Sequence, residues 1–200
     1  MPRVKHPTYL VRHGQSEWNV RRLTQGQTAH PRLTPLGSAQ AAQAAALLAA
    51  DLTARGVAGP RIVSSDLTRA VETAQVLADH LGSEIDLDPR LREQHLGDLE
   101  GRSYEETWQV AESIDWTDPW SPVAGGECLM DVHDRMAAAI ADHRAAGVTI
   151  LVSHGDAIRA AIAHLDGVLP HQAPWVEVPN GAVARVDQGV TWLPAAGERG

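Results

Sequence analysis

Three apolar runs of the chain each end in residues that can handle an anion. TYLV is followed by Arg12-His13-Gly14, RIV by Ser64-Ser65 with Arg69 a few residues on, and VTILV by Ser153-His154-Gly155-Asp156. A guanidinium presents a planar fork that matches two oxygens of a phosphate, and it stays charged at any ordinary pH. An imidazole, whose unperturbed pKa is about 6.5, can serve as a neutral nucleophile, a proton carrier or a cation. The glycine after each histidine permits a tight turn and a close approach of ligand to backbone. Taken singly, such a histidine is a hydrogen-bonded strand end and such an arginine a solvated helix residue. Taken together, Arg12, His13, Arg69 and His154 would repel one another unless an anion stood among them. A phosphate-like ligand is the economical explanation. A metal held by the histidines is the weaker alternative: no H-E-x-x-H or comparable spacing occurs, and two arginines would oppose a bound cation.

For these groups to meet, the three runs must be strands of one sheet. Short apolar runs over 8–12, 61–64, 84–87 and 148–153 read as strands, separated by helical patterns. Thr34 and Pro35 form an N-cap and first-turn pair for an Ala/Leu-rich helix running to about Arg55–Gly56. Ser65 is expected to cap a second helix over 66–81 that stops at Gly82. Ser103 and Glu106 fit a capping box for a shorter helix through about Val110. Further helices are expected over 127–146, closing at Gly147, and from near Asp156 to Gly167. GAVARV and GVTWL near the end read as a terminal hairpin. Strands alternating with helices predict an α/β fold, a three-layer α/β/α sandwich with a mostly parallel sheet. In such sheets ligands bind beyond the carboxyl ends of the strands, where the three motifs fall. The chain reads as one domain over 1–200, with a loop or lid insertion at about 94–127. Its stretch IDWTDPWSPVAGGE (114–127) is either a lid or a surface loop pinned by its tryptophans.

Composition narrows the function from outside. The 200 residues carry a formal net charge of −8, 44% hydrophobic and 21% charged residues, a globular balance without the basic excess of a nucleic-acid coat. Cys128 is the single cysteine, so no intrachain disulfide can form and a reducing compartment is expected. The N-terminal stretch has no hydrophobic segment of signal-peptide length, and the Ala-rich helix is too short and polar to span a bilayer. The expectation is a cytoplasmic protein with no nucleic-acid or membrane partner. The oligomeric state, a homodimer included, is left open.

YLVRHGQSEWN, SSDLTRAVETA, LREQHLGDLEG and LVSHGD, in that order, resemble the successive signature segments of the histidine phosphatase superfamily, the phosphoglycerate mutase-like proteins. The resemblance runs from about residue 8 to 160. It implies that His13 is the nucleophile that becomes a phosphohistidine, and that Arg12, Arg69 and His154 hold the phosphoryl oxygens. It implies a further phosphate contact at Asn19, substrate contacts at Gln25, Gly26 and Gly155, and a proton-donating acid at Glu93. No cofactor and no metal are implied, since the arginines and histidines supply the positive charge. Leu99 departs from the pattern where relatives often have Trp, which bears on packing. Gln15 stands where many relatives have Glu.

The implied activity is hydrolysis of a small-molecule phosphate ester. Mutases of the family resemble longer chains, whereas about sixty residues separate Glu93 from His154 here. The segments look most like bacterial phosphatases acting on sugar-linked or glycerate phosphates, glucosyl-3-phosphoglycerate phosphatases among them, with broad specificity an equal alternative. Phosphoglycerate mutase is the competing activity. A non-catalytic phosphate-binding module is the third, and it would have no need of Glu93.

Overall fold

The structure, a computed structural model, describes residues 6–194. Its centre is a six-stranded sheet of β1 (Thr8–Arg12), β2 (Arg61–Ser64), β3 (Ile85–Leu87), β4 (Thr149–Ser153), β5 (Val183–Val186) and β6 (Val190–Trp192), in the order β3-β2-β4-β1-β5-β6. The first four run parallel, and β5 and β6 add an antiparallel edge. Six helices accompany it: α1 (Glu17–Val20), α2 (Pro35–Ala54), α3 (Thr68–Leu81), α4 (Tyr104–Ala111), α5 (Leu129–Arg144) and α6 (Gly155–Leu165). The expected α/β sandwich with its mostly parallel sheet is the observed fold.

Alternation along the strands sorts the core into two layers, because successive side chains point to opposite faces. Tyr9, Val11, Ile62, Ile150 and Val152 pack with α2 and α3 on one face. Leu10, Val63, Leu151 and Ala184 pack with α5 and α6 on the other. Helix α2 is capped as its sequence predicts, with Thr34 Oγ1 accepting from Gly37 N at 3.0 Å. Its buried face is small at the N-terminal end, with Gly37, Ala41, Ala44 and Ala45, and larger beyond it, where Leu48 and Leu52 fill the core.

Two local expectations are corrected. Ser65 does not cap α3: that helix begins at Thr68 from Leu67, with no side-chain cap, and Ser65 Oγ accepts from Leu67 N in the turn before it. The terminal hairpin forms as expected from β5 and β6, and β5 also pairs antiparallel with β1, so the hairpin extends the main sheet. The 114–127 loop is not pinned by its tryptophans, because Trp116 and Trp120 are exposed while Pro119 and Val123 are buried. Backbone bonds from Asp98 N to Ala124 O and from Glu127 N to His95 O tie its second half to the 95–98 turn. Helix α1 was not anticipated. It is one turn long, and Ser16 and Asn19 close it in a capping box.

Gly14 has a different reason from the one its position suggests. A Cβ there would stand 2.1 Å from the carbonyl oxygen of Gly37, so the residue is small to admit the first turn of α2 rather than to bend the chain. Gly14 N meanwhile donates to Thr73 Oγ1 of α3 at 3.1 Å, so both helices are fastened to the residue that follows His13. We expect Gly14→Ala to cost about 1–3 kcal/mol by overpacking a backbone contact that cannot yield, read as a lower urea midpoint with an unchanged slope. A midpoint within error of wild type would remove this account.

Candidate active site

Strand register brings the two histidines together. Arg12 of β1 pairs in parallel with Ser153 of β4, so the next residues, His13 and His154, leave the sheet side by side. Their ring centroids are 5.0 Å apart. Ser64 of β2 lies opposite Val152, which puts Ser65 at the same edge, and His154 Nε2 meets Ser65 Oγ at 2.9 Å. Arg69, the second residue of α3, arrives from the other side and is fully buried.

Hydrogen bonds fix what each group can offer. His13 Nδ1 lies 2.7 Å from Gly14 O. A carbonyl can only accept, so Nδ1 carries the proton and Nε2 of the neutral ring keeps its lone pair. Burial first, then Arg69 and Arg12, hold the pKa of His13 well below the usual 6.5. His154 is lowered for the same reasons, burial leading. Burial also pulls Arg69 down to about 10, which leaves it a cation at neutral pH. Arg69 donates to the carbonyls of Thr28 and Gly26 at 2.9 and 2.8 Å, and Arg12 donates to Val178 O. Among the described residues neither arginine has a carboxylate within ion-pair distance. Arg12 Nε, Arg69 Nε and His154 Nδ1 are buried with no hydrogen-bond partner. Buried polar nitrogens are almost always satisfied, so three unpartnered ones at one sheet edge mark a place built for an acceptor.

Glu93 completes the group from a loop. Its carboxylate accepts from Asp156 N and Ala157 N at the start of α6, at 3.1 and 3.0 Å. Burial, then the Asp156 carboxylate, raise its pKa above the ordinary 4.5, against the lowering pull of the Ala157 and Gln94 N–H groups and Arg12. The loop is clamped by Arg135 of α5, which donates to the carbonyls of Arg90, Arg92 and Glu93 at 2.8, 2.6 and 2.9 Å. Arg135 is itself bound bidentately by Glu127. Glu100 performs the corresponding service for the first loop, accepting from Gln27 N and Leu96 N at 2.8 and 3.1 Å.

A cavity of about 210 Å³ opens over these residues, lined by Arg12, His13, Arg69 and Glu93, with Asn19, Gln25 and Gly26 on the loop side. His154 and Gly155 do not reach its wall: His154 stands behind His13, and Gly155 lies against the Arg12 guanidinium. Asn19 has a second occupation, since its Oδ1 accepts from Ser16 N and Ser16 Oγ in the α1 capping box. Gln25 Oε1 accepts from Ser16 Oγ at 2.7 Å. Gln15 turns away, its Oε1 accepting from Thr34 Oγ1 at the cap of α2. The sequence reading missed Arg135, Glu127, Glu100 and the α4 wall of Tyr104, Thr107 and Trp108. The last three fall at i, i+3 and i+4, one face of a helix, a spacing that could have been read. Leu99, in place of the tryptophan of relatives, is simply buried.

The family model of the Histidine phosphatase superfamily (branch 1) matches residues 8–190. The chain belongs to that superfamily. Among curated relatives, the probable phosphoglycerate mutase GpmB of Photorhabdus laumondii is 38% identical over 195 residues, covering 92% of this chain and 86% of that protein. Among solved structures, a mycobacterial glucosyl-3-phosphoglycerate phosphatase is 28% identical with a TM-score of 0.78, covering 95% of this chain and 97% of the other. A putative alpha-ribazole-5'-P phosphatase from Escherichia coli is 26% identical with a TM-score of 0.75, covering 94% of each chain. No helix among the described residues is long and apolar enough to cross a membrane.

If the three orphaned nitrogens await an anion, orthovanadate or inorganic phosphate should stabilise the fold by mass action, about 2.7 kcal/mol at one hundred times its Kd. Arg69→Gln should remove most of that gain. A thermal midpoint that does not respond to either anion in the wild-type protein would argue against an oxyanion site.

Proposed function

We propose that the chain hydrolyses small-molecule phosphomonoesters through a phosphohistidine on His13. The observation that carries this reading is the set of unpartnered buried donors around a histidine whose tautomer leaves Nε2 free. Nε2 attacks phosphorus, the bond to the ester oxygen breaks, and Glu93 gives its proton to the departing alkoxide. Water then attacks the phosphohistidine, Glu93 takes a proton from it, and the P–N bond breaks to release inorganic phosphate. Arg12 and Arg69 stabilise the charge on the equatorial oxygens, the main demand that phosphoryl transfer makes on a protein. His154 supports the site from beside His13, with its Nε2 held by Ser65 Oγ at 2.9 Å. Burial shifts both groups toward the states the first step needs, His13 toward the neutral ring and Glu93 toward the protonated acid.

The substrates we propose are phosphorylated metabolites, with sugar- and glycerate-type phosphates in range, a reading supported by the mycobacterial neighbour, a glucosyl-3-phosphoglycerate phosphatase. The second reading is phosphoglycerate mutase, favoured by the names of the curated relatives. Comparing phosphate release with isomerisation of 3-phosphoglycerate separates them: dominant isomerisation with a bisphosphate requirement would overturn hydrolysis.

A labelled phosphomonoester should leave an acid-labile label on His13, and His13→Ala should neither take label nor turn over while still binding vanadate; turnover equal to wild type would leave the mechanism without its centre. Glu93→Gln should cost about 10²–10⁴-fold with poor leaving groups and little with p-nitrophenyl phosphate. The pH profile carries a sign that can be checked. Activity needs His13 neutral, so it falls only below a depressed imidazole pKa, and the acid limb should lie under pH 6.5 after correction for substrate ionisation. Activity also needs Glu93 protonated, so it falls as pH rises through a pKa above 4.5. An acid limb centred above pH 6.5 would contradict this assignment.

A further inference from the structure

Beside the anion pocket lies a second, larger cavity of about 350 Å³. Leu96, Thr107 and Asp156 belong to the walls of both, and Glu93 and Gln94, consecutive in the chain, face one each. The two are therefore neighbouring compartments divided only by side chains they share. The larger one is walled by Trp116, Leu129, Val132, Ile162, Pro174 and Trp175.

We propose that this cavity is the leaving-group subsite, and that it selects phosphomonoesters whose alcohol portion carries a flat apolar or aromatic group. The proposal rests on the hydrolase reading above and ranks its substrates, placing aryl-bearing esters ahead of the sugar- and glycerate-type phosphates named there. Glu93 fixes the direction: the ester oxygen must lie against its carboxyl, which is held at the start of α6 by Asp156 N and Ala157 N. The next turn of α6, Arg159, Ala160 and Ile162, forms the cavity wall, so the alcohol carried by that oxygen points into it. The chemistry of the wall fixes the class. Its polar members already have protein partners: Gln94 Nε2 donates to Glu127 O, Thr107 Oγ1 bonds Thr24 Oγ1, and Asp156 pairs with Arg159. Arg159 also donates to Val176 O and stacks 4.8 Å over the Trp175 ring. Asp166 stands at the exposed rim. A polyol placed there would exchange water for a surface with few free hydrogen-bonding groups, whereas an aryl group gains contact with two indoles. Trp116 and Trp175, left 43% and 74% exposed, gain cover from such a ligand.

The test pairs turnover with binding, using two esters of similarly poor leaving groups. The kcat/KM for 1-naphthylmethyl phosphate should exceed that for glycerol 3-phosphate by at least about tenfold, the scale of one or two methylenes in a matching pocket. By calorimetry, 1-naphthylmethylphosphonate should bind more tightly than methylphosphonate by a similar factor, and Trp116→Ala and Trp175→Ala should each erode that preference with the circular-dichroism spectrum retained. Equal binding of the two phosphonates, or a preference that survives both substitutions, would overturn the subsite. A phosphonate preference lost in both variants, in a protein that releases phosphate from neither ester, would uphold the subsite while removing the hydrolase reading.

Discussion

The structure depends on two guanidiniums placed under the surface without a carboxylate to neutralise them. Burying a charge is costly unless it is paired or well hydrogen-bonded. This chain meets part of the cost with backbone carbonyls: Gly26 and Thr28 for Arg69, Val178 for Arg12. Carbonyls satisfy N–H groups but contribute only partial charge, so a net positive field remains in a low-dielectric recess. That field makes an oxyanion a preferred occupant and disfavours protonation of the histidines beside it.

Desolvation thus serves opposite ends on the two sides of one pocket. On the His13 side it acts with the arginines, and both favour the uncharged ring. On the Glu93 side it acts with Asp156 and against Arg12, and it prevails because it is the larger influence. His13 and Glu93, carried by different elements of the fold, are thus each pushed toward the uncharged form. The Glu93 loop is held from two sides, by Arg135 of α5 with its partner Glu127 and by Ser153 Oγ of β4, which donates to Leu91 O.

What could be read in the sequence followed physical locality. Arg12, His13 and His154 were legible because they stand directly after apolar runs, where a parallel sheet must present them. Arg69 was legible through its place beside a strand end. Arg135 was not: an arginine inside an amphipathic helix reads as a solvated face, and only tertiary packing turns it toward three carbonyls 42 to 45 residues away. Ser65 was misread because a serine before a helix has two competing uses, and the neighbouring His154, distant in sequence, decided between them. Gly14 has a reason that no local pattern carries, since its contact is with Gly37 of α2. The face of α2 could not be read at all, because alanine is equally at home on either side of a helix.

The antiparallel edge of the sheet has a consequence for the order in which the molecule can be assembled. Arg12 donates through its side chain to Val178 O and through its backbone to Ala182 O, and His13 O accepts from Asn180 at 3.1 Å. Residues made early in synthesis therefore wait for partners 166 to 170 positions later before their geometry is set. Contacts of such separation are slow to form, since the chain must surrender loop entropy before they reward it. A nascent chain can hold its first strand and the Ala-rich helix while its anion site is still open on one side. The Arg12 and His13 edge of the site is complete only once residues 178–182 have packed beside it.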